Sequence, residues 1–88
     1  MAHNYHHSFD PLAKYVPENA WPLIKGLLTS FHLQIKVTRP RKTKIGDYRP
    51  ANNGHPHRIT VNNDLNPYAF LLTFIHELAH LQTFEQYR

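Results

Sequence analysis

No glycine or proline interrupts the chain between Tyr68 and Arg88, and this uninterrupted stretch constrains the fold more than any other feature. Glycine and proline are the strongest local breakers of a helix, so their absence permits one continuous helix. Asn66 supplies a capping side chain and Pro67 the first helical position, a pairing that favours a helix start. The helix is predicted to run through at least Phe84. Tyr68, Phe70, Leu71, Leu72, Phe74, Ile75, Leu78, Leu81 and Phe84 cover nearly its whole circumference, and a helix apolar all round is a buried one. The rest of the chain must supply the cover.

Upstream, the period of the apolar residues changes. Asp10-Pro11 reads as a capped helix start, and Pro17 stops that first helix near Val16. A second helix is predicted from about Asn19, with Pro22 tolerated in its first turn and an end between Ser30 and His32. Its Ala20, Leu23, Ile24, Leu27, Leu28 and Phe31 follow the spacing of a buried helical stripe. From Leu33 the period becomes two. Leu33, Ile35 and Val37 alternate with Gln34, Lys36 and Thr38, which predicts a strand with one buried face. Thr43 to Arg49 is a second candidate strand, interrupted at Gly46 by what reads as a bulge. Residues 50–57 are turn-forming throughout, and Arg58 to Asn62 gives a short strand with Ile59 and Val61 on one face. This order is α+β: N-terminal helices, a small antiparallel sheet, and a long C-terminal helix packed on it.

His76-Glu77-Leu78-Ala79-His80 lies in the middle of that last helix. Histidines at i and i+4 stand one turn apart, where both can bind a single zinc ion. The glutamate between them lies beside the metal and can take a proton from bound water. Such polar groups are costly to bury without partners, and a metal would explain them. The bland alternative is that two ordinary helix histidines meet by chance in a chain with 8 of them; the capped, strand-then-helix setting argues against it. A catalytic zinc takes three protein ligands, and the third is not evident. His55 and His57 flank Pro56 in a stretch that favours an extended loop with solvated histidines. Glu85 is too far round the helix to share one ion with both His76 and His80, and Asp47 and Asp64 read as turn formers.

An 88-residue chain makes one domain at most, with a thin core. Its 41% hydrophobic and 18% charged residues fit a globular chain rather than a disordered one. There is no cysteine, so neither a disulfide nor a thiolate ligand is available, which fits a reducing, cytoplasmic setting. Residues 1–9 carry His3, His6 and His7 but no apolar run, so they do not read as a secretory signal. A purification-tag remnant or a frayed, disordered start accounts for them better than a metal site. No stretch approaches the roughly 20 apolar residues of a membrane span. The net charge of +4 is concentrated in Lys36, Arg39, Arg41, Lys42, Lys44 and Arg49, opposed only by Asp47. A solvated hairpin whose charges protect an edge strand is one reading. A phosphate-contacting patch that would bind DNA is the other.

The residues from Leu33 onward resemble the SprT-like family of zinc metallopeptidases, in a small bacterial form. The matching pieces are Leu33-Gln34-Ile35-Lys36-Val37, Lys44-Ile45-Gly46-Asp47-Tyr48-Arg49, Arg58-Ile59-Thr60-Val61-Asn62, Leu65-Asn66-Pro67 and Phe74-Ile75-His76-Glu77-Leu78-Ala79-His80. The resemblance implies a zincin-like minidomain over residues 10–88, with His76 and His80 as zinc ligands and Glu77 as catalytic base for hydrolysis of a protein or peptide substrate. In that family the third ligand is a histidine further downstream. The resemblance therefore implies that this chain is the N-terminal part of a longer protein, incomplete and inactive alone, and that its uncovered apolar surface leads to self-association. Studied members cut proteins bound to DNA, which would give the basic 36–49 segment a purpose. A nucleic-acid-binding or scaffold module on an inactive zincin fold is the alternative expectation.

Overall fold

The computed structural model describes residues 10–87. The expectation for residues 1–9 falls outside them. A 3₁₀ helix, Asp10–Tyr15, and a 3₁₀ turn, Glu18–Ala20, lead into helix α1, Trp21–Ser30. Strands β1 (Leu33–Thr38), β2 (Gly46–Arg49) and β3 (His57–Asn62) follow, and helix α2 spans Pro67–Tyr87. The mixed helix-and-sheet architecture matches the α+β expectation. The first segment is 3₁₀ rather than α, since Pro17 leaves it too short to propagate α-helical hydrogen bonding. Just past the Phe31 cap of α1, His32 has a φ of 49°, the left-handed conformation that stops a helix.

The sheet departs from the antiparallel expectation. Its order is β1-β3-β2, with β1 parallel to β3 and β2 antiparallel to it. β1 and β2 are therefore not a hairpin: the chain leaves β1, passes to the far edge as β2, and returns through the middle as β3. The return is a tight turn in which Asn52 and His55 exchange backbone hydrogen bonds of 3.1 and 2.8 Å. Asn53 and Gly54 between them have φ of 49° and 84°, the two positive angles of a type I′ turn that an Asn-Gly pair accommodates best.

Central placement explains the burial of β3. Ile59 and Val61 are fully buried on the helix-facing side, and Thr60 and Asn62 are buried on the other. The core joins Ile59 and Val61 to Val16, Ile24, Leu28, Leu33, Phe70, Phe74, Leu78 and Leu81, and Tyr15 stacks on Phe70 at 5.3 Å. α2 starts as its cap residues require: Asn66 Oδ1 accepts from the Ala69 N–H at 2.9 Å. Its expected all-round burial is overturned. Phe70, Phe74, Leu78 and Leu81 face the core, whereas Tyr68, Leu72 and Ile75 form an exposed stripe, 70%, 67% and 48% accessible. A sheet of three short strands covers one side of such a helix and cannot wrap the other. Among the described residues no helix is long and apolar enough to cross a membrane.

Candidate metal centre

His76 and His80 project from α2 with ring centroids 5.0 Å apart and planes at 85°, the adjacency that one helical turn imposes. Both are exposed, so they carry no burial cost, contrary to the expectation from an apolar helix. Glu77 is different. It is 8% exposed and turned toward the sheet, where β2 comes unusually close. A Cβ added to Gly46 would lie 2.5 Å from Thr73 Cγ2 and 3.4 Å from Glu77 Cγ. Gly46 is thus not a bulge but the point at which the edge strand approaches α2, and only glycine permits that contact. Thr73 is held in turn by its hydroxyl, which donates to the Ala69 carbonyl at 2.8 Å.

Two open clefts meet at Glu77. One is lined by Gly46, Asp47 and Tyr48 from β2 with Glu77, His80, Thr83 and Phe84 from α2. The other is lined by Ile45, Gly46, Leu72, Thr73, His76 and Glu77. The carboxylate therefore borders both histidines' surroundings, between the helix and the edge strand.

Donor chemistry fits zinc in part: His76 and His80 offer two adjacent imidazoles. Among the described residues no group of three His, Cys, Asp or Glu side chains could hold a metal ion. His55 is exposed, as expected of its loop. His57, expected to be solvated, is 5% exposed and begins β3. Its Nδ1 accepts from the Ala51 N–H at 3.1 Å and from the Tyr48 hydroxyl at 2.8 Å. An N–H can only donate, so the ring proton sits on Nε2, which donates to Glu85 Oε2 at 2.8 Å. Phe84 closes the site edge-on, 6.0 Å from the imidazole. Burial, and second the Glu85 charge, push the Tyr48 phenol up, so it keeps the proton it donates. Sequence reasoning missed this group. The signal was period two: His57 shares its parity with Ile59 and Val61, the buried face.

Asp47, read as a turn former, lies on β2 and anchors the preceding loop. Its Oδ2 accepts from Arg41 Nη1 at 2.8 Å and Lys44 Nζ at 3.3 Å. Arg41 Nε also donates to Asn62 Oδ1 at 2.9 Å, and Asn62 Nδ2 to the Lys44 carbonyl at 2.9 Å. Burial alone would raise the Asp47 pKa, but the hydrogen bonds and positive charges of Arg41 and Lys44 hold the carboxyl below its ordinary value. Arg41 is thereby a partly buried, paired cation rather than part of a solvated patch, and Lys36, Arg39, Lys42 and Arg49 remain exposed.

No family model, no curated protein and no solved structure matches this chain.

Proposed function

We propose that this chain carries the helix and edge strand of a zinc-dependent metallopeptidase site of the SprT-like, zincin type, hydrolysing peptide bonds of a protein or peptide substrate in the cytoplasm. One observation carries the reading: two exposed, adjacent imidazoles flank a glutamate that reaches into a cleft against an edge strand. His76 and His80 would hold the ion, with a third donor from outside the described residues. Zinc in such a site activates water at neutral pH and polarises a carbonyl. Glu77 would accept the proton and deliver it to the leaving amine, a role that suits a carboxylate on the cleft wall. Among the described residues β2 pairs only with β3, so its outer edge would be open to an extended peptide by strand addition. With two donors this polypeptide would bind zinc weakly and turn over little substrate. The exposed Tyr68, Leu72 and Ile75 stripe favours self-association.

Zinc titration tests the metal assignment. His76→Ala and His80→Ala should each remove the bound zinc, and Glu77→Gln should retain it while abolishing any peptide hydrolysis by the zinc-loaded protein. Zinc affinity indifferent to both histidine substitutions would overturn the reading. The second reading, a nucleic-acid-binding or scaffold module, is favoured by the exposed cations of the 36–49 segment. It predicts DNA affinity that falls steeply with salt, with or without zinc.

A further inference from the structure

The sheet has a polar face that the metal centre does not use. The strand register places Gln34, Arg58 and Arg49 in one row across β1, β3 and β2, and Lys36, Thr60 and Asp47 in the next. Arg49 and Arg58 are direct cross-strand partners on that face. Like charges directly opposite one another destabilise a sheet, so the pair needs compensation. None comes from within the described residues, where neither arginine makes an ion pair or side-chain hydrogen bond. Asp47, the one acid on these strands, is committed to Arg41 and Lys44.

Both arginines line a single cleft, with Asn52, His55, Pro50 and Pro56 as its other walls. The two prolines fix the backbone on either side of the type I′ turn, so the cleft is shaped before any ligand arrives. A guanidinium presents a planar fork of donors that matches a phosphate's oxygens, and two forks side by side can share one such group. Asn52 and His55 add polar groups at the rim.

We infer that Arg49 and Arg58 form a phosphate-binding site at this end of the sheet, with Asn52 and His55 at its edge. The shared chemistry is a phosphate group, either free or as the diester of a polynucleotide. In the second form the inference rests on the nucleic-acid reading above, and it moves the contact from a diffuse basic segment to one defined pair that includes Arg58.

Two titrations separate the sources. Inorganic phosphate, followed by NMR, should shift the resonances of Arg49, Asn52, His55 and Arg58 and leave Lys36 and Lys42 unmoved. No shift at the arginine pair overturns the site. A short single-stranded oligonucleotide, followed by fluorescence anisotropy, should bind about tenfold more weakly to Arg58→Gln or Arg49→Gln. Each substitution should also reduce the slope of log affinity against log salt by about 1. Lys42→Gln should weaken binding less. Phosphate binding without oligonucleotide binding supports the site as one for small phosphates and removes the nucleic-acid reading. Oligonucleotide binding insensitive to both arginine substitutions, with no phosphate-induced shift at the pair, keeps that reading and overturns this inference. Either substitution relieves like-charge repulsion, so the fold should survive it, as an unchanged or raised Tm would verify.

Discussion

His57, against the C-terminal end of α2, and the His76–His80 pair, in its middle, differ in what their ring nitrogens do. His57 is buried, with Nδ1 held by Ala51 and Tyr48 and Nε2 held by Glu85. His76 and His80 are exposed and touch each other, and no side-chain hydrogen bond engages their rings among the described residues. A histidine whose nitrogens are both satisfied is a strut: it ties the far end of α2 to β2 and β3. Histidines with free nitrogens on a helix surface cost the fold nothing and are available as ligands. Exposure, not burial, is what marks the candidate metal pair in this molecule.

Substitution should separate the two groups sharply. His57→Ala removes a buried ring and strands the Ala51 N–H and the Tyr48 hydroxyl. It should lower unfolding free energy by about 3 kcal/mol in urea. His76→Ala and His80→Ala should stay within about 0.5 kcal/mol of the parent protein without metal. Comparable losses in both groups would break the distinction.

The contact between α2 and the edge strand can be probed at Gly46. Gly46→Ala places a methyl against Thr73 Cγ2, and overpacking of that kind costs about 1–3 kcal/mol. The strand must shift away from Glu77 to relieve it, so any Glu77-dependent activity should fall as well. A variant as stable as the parent would mean that the close approach is not constrained.

The smallest effect expected is one of pH. Asp47 has a folded pKa held below its unfolded value, so its ion pairs contribute stability above the ordinary aspartate value of about 3.9. That contribution is lost as pH falls through the lower folded value. Denaturation from pH 6 down to 2 should therefore show an acid-side loss that is smaller in Asp47→Asn than in the parent. Identical pH dependence in both proteins would show that Arg41 and Lys44 do not stabilise the carboxylate.

Much of this was legible in the chain. Asn66 and Pro67 marked the start of α2, alternation marked β1 and β3, and HELAH stood out as a spaced set of donors. Each is a relation between residues within a turn or two of one another, and near neighbours alone determine helical and strand periods. The neighbours of a strand are another matter. Nothing local in Leu33–Thr38 specifies that its partner is β3 in parallel rather than β2 in antiparallel. That choice is settled by packing against two different helices, β2 and β3 against α2 and β1 against α1. The same distant packing decided which side of α2 stays exposed, buried His57, enlisted Asp47 for Arg41, and set Arg49 beside Arg58. Local spacing was enough for the elements and their chemistry. Which of those groups meet was set by the packed fold, because burial and charge pairing join residues on different strands, helices and loops.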